Sequence, residues 1–275
     1  MSFSILTDSS CALPATLGQG FSAGDTPVFQ VPLEVSEVGE RVTTSQPSRQ
    51  ALIAALDAAS DGGARRVIAP VLSSRVSGTG AALSAIVAEG DYPCDIIDTR
   101  TVGGAIGLAV LAATRQSDAA GALAVIRELV AKSRTAIVVA DLKPLVAGGR
   151  LRAPTASIGT ALGIVPVIEM RDGELKLADA VRGQARARSQ MISRVLGARQ
   201  RGGMLEEIDV VCHEGAEHLL ADEFEQSCAA AGVRIRHRYD LPLPAVLEAH
   251  TGACYWGLCV TPVLAGDIHP VGSAT

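Results

Sequence analysis

Apolar residues in the first half of the chain fall into short β-branched runs separated by helix-length amphipathic stretches. Residues 4–7 read as a strand closed by Asp8-Ser9-Ser10, and residues 28–35 as a second. The runs VIAPVL (67–72) and DIID (95–98) have the near-continuous apolar character of buried central strands, and IVVA (137–140) reads as another. Between them, helical spacing covers about 48–59, 78–89, 102–115 and 119–133. Strand–helix alternation of this kind predicts a parallel sheet covered on both faces.

After about residue 150 the rhythm changes. Residues 163–169 and 174–180 flank Arg171-Asp172-Gly173 as a hairpin. A helix at 184–199, a strand at 208–212, a helix at 216–231 and strands at 233–239 and 257–260 follow. The expected architecture is two-domain α/β: an N-terminal parallel-sheet domain over 1–150 and a C-terminal mixed α/β domain over 151–275. No repeat and no Pro-rich or charged linker separates them, so their crevice is the expected binding place.

Composition narrows the function. At 275 residues the chain is long enough for two domains. Its apolar fraction of 48% against 19% charged excludes a disordered chain and a coiled coil. Only four Phe, three Tyr and one Trp occur, which argues against sugar or single-stranded nucleic-acid binding by stacking. A formal charge of −5 leaves no basic excess for nucleic acid. Arginines cluster at Arg65-Arg66 and at Arg182, Arg186 and Arg188; these are solvated helix faces or, for the second group, a docking face for a partner. The six cysteines contain no CxxC pair, the first residues lack a secretory pattern, and no apolar run is long enough to span a bilayer. A cytoplasmic protein with reduced thiols is expected.

The candidate chemistry sits where helices begin beyond the strands. Hydroxyl-rich segments occur at Thr7-Asp8-Ser9-Ser10, Thr43-Thr44-Ser45-Gln46-Pro47-Ser48, Ser73 to Gly80 and Thr99-Arg100-Thr101. Each one alone is accounted for as a helix cap. Four at one sheet edge suggest a small-anion site made from helix N-termini. Ser77-Gly78-Thr79 is the sharpest, because Gly78 lets backbone approach a ligand closely.

The familiar nucleotide and hydrolase signals are missing: Gly78-Thr79-Gly80 is a lone GxG, and neither a P-loop nor a GxSxG elbow occurs. Cys212-His213 and His250, Cys254, Cys259 lack metal-ligand spacing, and no metal or other cofactor is expected. His213 ends a strand and His250 lies in a loop.

The ordered set Ile5-Leu6-Thr7-Asp8-Ser9-Ser10, Val31-Pro32-Leu33, Thr44-Ser45-Gln46-Pro47, Ser73-Ser74 with Ser77-Gly78-Thr79, Asp98-Thr99, Asp141-Leu142, Gly148-Gly149-Arg150, Asp172-Gly173 with Val181-Arg182, and His250-Thr251-Gly252 resembles the DegV family. These are bacterial fatty-acid-binding proteins that serve a fatty acid kinase. The resemblance implies an acyl chain of about 14–18 carbons buried between two α/β domains. It implies a carboxylate held by Ser77, with Thr44 beside it and His250 closing over it. Asp8, Gly78, Thr79 and Arg150 would support that end, and the kinase would supply the chemistry that forms the acyl phosphate. Three departures stand out: Ala253-Cys254 where relatives carry Pro-Gly, Val165-Pro166 for Lys-Pro, and a shortened stretch between Leu33 and Thr44.

Two other readings use the same residues. One is an acyl-processing serine enzyme with Ser77 as nucleophile, His250 as base and Asp8 or Asp98 as orienter. The other is an interaction module whose cavity is filled by side chains.

Overall fold

The computed structural model describes residues 2–14, 22–23, 26–38, 41–61, 64–152, 163–197, 205–214, 218–252 and 254–264. The first strand, β1 (Ser4–Asp8), is wholly buried. A two-residue strand β2 (Ser22–Ala23) precedes β3 (Thr26–Val31), followed by the antiparallel pair β4 (Glu34–Val38) and β5 (Arg41–Ser45). Then come α1 (Arg49–Asp61), β6 (Val67–Val71), α2 (Thr79–Glu89), β7 (Cys94–Asp98), α3 (Gly104–Ala113) and α4 (Ala119–Lys132). The second half runs β8 (Arg134–Val139), α5 (Lys143–Ala147), β9 (Ile164–Arg171), β10 (Glu174–Arg182), α6 (Gln184–Leu196) and β11 (Glu207–His213). It closes with α7 (Leu219–Ala231), β12 (Arg234–Asp240), α8 (Ala245–Thr251) and β13 (Cys254–Pro262).

The first sheet has the order β2-β3-β1-β6-β7, with β3, β1, β6 and β7 mutually parallel. The second is mixed, in the order β10-β9-β8-β13-β11-β12. Residue 150 is therefore not where the chain changes sheet. IVVA was expected to continue the parallel sheet, but β8 pairs antiparallel with β9 and β13 in the second sheet. Burial is equally complete in either sheet, so an apolar run carries no information about which one it joins. Residues 134–151 belong with the second core, where Ile137, Val139, Leu142, Leu145 and Leu151 pack together.

Two other expectations change. The strand expected over 28–35 ends at Val31, because Pro32 has no N–H to continue a ladder. Residues 34–38 and 41–45 pair as the antiparallel strands β4 and β5, so Thr44 reaches the site on a strand rather than from a loop before α1. The helices expected to 199 and from 216 are observed as 184–196 and 219–231; residues 198–200 and 215–217 lie outside the described part.

Helix α3 shows why so uniformly apolar a segment stays helical. All ten of its residues are buried, since it lies between the two sheets and packs against β11 and β13 as well as α4. Its glycines allow the close approach: a Cβ at Gly107 would stand 1.9 Å from the Ala12 carbonyl oxygen. The β9–β10 turn has Asp172 at φ 57° and Gly173 at φ 83°, the two left-handed positions of a two-residue hairpin. Among the described residues no helix is long and apolar enough to cross a membrane.

Candidate functional site

The first sheet opens at the carboxyl ends of its strands. β1 and β6 pair only through Ser4–Val67 and Ile5–Ile68, and beyond that point they part. Pro70, which cannot donate to a ladder, sits where β6 has parted from β1, while staying in register with Ile97 of β7. Side chains bridge the gap: Thr7 Oγ1 donates to the Pro70 carbonyl (2.8 Å), and Asp8 Oδ2 accepts from Leu72 N (2.8 Å). Asp8 Oδ1 accepts from both the N–H and the hydroxyl of Ser10. Burial pushes the Asp8 carboxyl above its ordinary pKa, against these hydrogen bonds. Asp8 thus braces the start of the segment 72–78 and does not line the cavity.

That segment borders a cavity of about 230 Å³ between the first sheet's open end and one face of the second sheet. Its walls are mostly aliphatic: Leu33, Leu72 and Val102 from the first half face Ile137, Ile168 and Met170 from the second. Leu243, Val246, Leu247 and His250 contribute one helical face, spaced i, i+3, i+4, i+7 along and just before α8. His250 is therefore in the last turn of a helix, not in a loop. The stripe was present in the sequence, but α8 is only seven residues long and follows Leu-Pro-Leu-Pro, which obscured it.

Polar groups converge at one part of this wall. Thr44 Oγ1 lies 2.5 Å from His250 Nε2. His250 Nδ1 lies against Gly148, 3.3 Å from where a Cβ there would stand. Arg150 also lines the cavity; its Nε donates to Val76 O (3.3 Å) and its Nη1 to Gly148 O (2.5 Å). No described carboxylate lies within 4 Å of the Arg150 guanidinium. Burial, and secondarily the charge of Arg150, push the His250 pKa down to about 4, so its ring is neutral at pH 7. Ser77 Oγ lies 2.9 Å from Thr79 Oγ1 and accepts weakly from Thr79 N (3.3 Å) at the start of α2. Thr79 is buried behind Ser77, outside the cavity wall. Gly78 does line the wall, and the space beside it is taken by Gln46, whose Oε1 would be 2.5 Å from a Cβ.

Thr44, Ser77, Gly78, Arg150 and His250 are thus brought together, with Asp8 and Thr79 behind them. The arrangement suits an anionic head on an aliphatic body: one cation with no described carboxylate beside it, two hydroxyls and a neutral imidazole at the edge of a greasy cavity. A hydrolytic triad is not assembled. His250 meets Thr44 rather than Ser77, and Asp8 hydrogen-bonds Ser10 and Leu72 instead of the imidazole. Asp98 holds Ser74 at the far side of the 72–78 segment.

The remaining candidates lie elsewhere. Arg182 ends β10, and Arg186 is exposed on α6. Arg188 is tied down, pairing with Glu223 at 2.5 Å and stacking 4.9 Å above the Trp256 ring. His213 is buried at the end of β11, its Nδ1 facing the Leu241 and Pro242 carbonyls.

Fold and site together describe a two-sheet α/β protein that encloses an apolar cavity between its sheets, with a polar cluster at the cavity edge. The chain belongs to the DegV family, whose model, described as an uncharacterised protein family, matches residues 30–263. A DegV domain-containing protein of Mycobacterium bovis is 28% identical over 281 residues, spanning 94% of this chain and 97% of that protein. A solved DegV family protein from Thermus thermophilus, described as binding fatty acid, superposes with a TM-score of 0.80 at 24% identity, over 96% of this chain and 100% of that one. A stearic-acid-binding protein from Eubacterium ventriosum superposes with a TM-score of 0.76 at 21% identity, over 94% and 98% of the two chains. The N-terminal parallel sheet and C-terminal mixed sheet are the fold of these structures.

Proposed function

We infer that this protein binds a long-chain fatty acid without covalent attachment and presents its carboxylate to a separate kinase that makes the acyl phosphate. The observation that carries the reading is the pairing of an aliphatic cavity with an edge holding Arg150, Ser77, Thr44 and His250. The fatty acids named for its structural relatives support the same ligand class. A 16-carbon tail with about 14 methylenes gains on the order of 11 kcal/mol by burial, before association and ordering costs. The tail sets affinity, and the polar cluster sets orientation.

In this reading Ser77 donates to the carboxylate, the start of α2 adds its dipole, and Arg150 supplies the counter-charge. Ser45, Gln46 and Gly78 beside the head are exposed, which leaves the carboxylate end reachable by a second protein. No base is required of this chain, because the kinase carries out phosphoryl transfer. Exposed Arg182 and Arg186 are the proposed docking residues.

Mass spectrometry of the protein purified from a bacterial host, first native and then denatured, tests the reading. A native excess equal to a 16- to 18-carbon acid, about 250–285 Da, that is lost on denaturation is the expected result for a tail buried this way. An adduct that survives denaturation points to an acyl-enzyme on Ser77. No adduct, even after added palmitate or oleate, refutes fatty-acid binding.

A further inference from the structure

A second recess, of about 780 Å³, lies on the other side of the wall formed by Thr135, Ala136 and Met170, which line both cavities. It opens between the carboxyl end of β7, the last turns of α4, the first residues of β8, the β9–β10 turn and the end of α6. Its chemistry is the reverse of the aliphatic cavity. Five guanidiniums line it, from Arg100, Arg127, Arg134, Arg171 and Arg194, against the carboxylates of Asp98, Glu169 and Asp172. In a chain of net charge −5 this is a local inversion of sign.

None of those carboxylates is free. Asp98 accepts from the Ser74 hydroxyl and from the Ser74 and Arg100 N–H groups. Glu169 is buried between Arg171 and Arg194. Arg134, 4% exposed, anchors the floor by donating Nη1 to the Val195 and Gly197 carbonyls, 2.7 and 3.2 Å away. Its burial lowers its pKa from the ordinary arginine value, a cost that a nearby anion would offset. At the mouth, Arg100 and Arg127 are exposed and have no described carboxylate within 4 Å. Arg100 is held in place by its Nη2 hydrogen bond to the Asp172 carbonyl (2.8 Å).

We propose that this recess binds a small organic polyanion, a molecule bearing at least two phosphate or carboxylate groups, one on Arg127 and one on Arg100 above the Arg134 floor. Guanidinium forks suit both anion types by bidentate pairing. The recess falls within the usual size of small-molecule sites, roughly 300–1,000 Å³, and its concavity favours a small ligand over a protein surface. The site is distinct from the aliphatic cavity and does not depend on what fills that cavity.

Isothermal titration of the full chain with inorganic pyrophosphate, and separately with citrate, tests this at low salt and at about 150 mM salt, where the Debye length is about 8 Å. The expected result is saturable binding of at least one probe, weakened about tenfold or more by Arg127→Ala and by Arg100→Ala, each variant retaining its wild-type melting temperature. Preference between the two probes assigns the anionic group. Absence of binding by both probes, or binding that both substitutions leave unchanged, overturns the proposal.

Discussion

Thr44 and His250 are 206 positions apart in sequence and 2.5 Å apart in space, hydroxyl oxygen to Nε2. This contact joins the β4–β5 pair to α8 and closes the polar edge of the aliphatic cavity. It is made by a neutral ring, and several outcomes follow from that.

His250 titrates near 4 rather than near its ordinary 6.5, because burial and the Arg150 charge disfavour the imidazolium. Between those two values the unfolded chain binds more protons than the folded one, so the stability of the ligand-free protein rises with pH across that window and falls on acidification. A bound carboxylate favours the charged ring and raises its pKa. Titration of the His250 ring by NMR, without and with oleate, should show an upward move on binding. An unmoved titration places the carboxylate away from His250.

Ser77→Ala removes a donor from the proposed carboxylate site. Fatty-acid affinity should fall by about 1–3 kcal/mol, or roughly 5- to 150-fold, with the fold intact. Calorimetric titration with palmitate checks it; unchanged affinity argues against a head group at Ser77.

Arg150→Gln should weaken binding by about 1.5–3 kcal/mol through loss of a charged hydrogen-bonding partner. It should also raise the His250 titration in the ligand-free protein, since Arg150 contributes to the depression. The two readouts together separate loss of charge from loss of the Val76 contact.

Arg186 and Arg188 should behave differently although they are neighbours. Arg186→Glu is expected to slow kinase-coupled turnover while leaving fatty-acid retention unchanged. Arg188→Ala should lower the melting temperature, because it removes the Glu223 pair and the Trp256 stack. Full turnover by Arg186→Glu removes that residue from the docking surface.

Gly107→Ala drives a methyl into the Ala12 carbonyl, 1.9 Å from its oxygen. The obstacle is backbone, so relief requires shifting α3 between the sheets. A loss of about 1–3 kcal/mol or more is expected, read as a melting temperature several degrees lower. An unchanged melt contradicts this placement of α3.

The candidate site was partly legible. The hydroxyl clusters containing Thr44 and Ser77 marked the open end of the sheet, and Gly148-Gly149-Arg150 matched the family pattern. Arg150's position could not be read as chemistry, since its meaning depends on which carboxylates fail to surround it. The recess behind β8 and β9 was not legible at all: its arginines come from residues 100, 127, 134, 171 and 194, with no spacing in common.

Local sequence determined most of the helices and strands, because apolar periodicity, Pro32 and the Asp172-Gly173 turn act through neighbours a few residues away. The helical spacing over 102–115 was local as well, but the burial of α3 on every side comes from the two sheets and α4 around it. Tertiary structure alone decided that β8 joins the second sheet, that β4 and β5 pair against α8, and that Thr44 meets His250. These are pairings between segments whose apolar patterns fit several partners equally well. Only the competition of whole faces for burial selects among them.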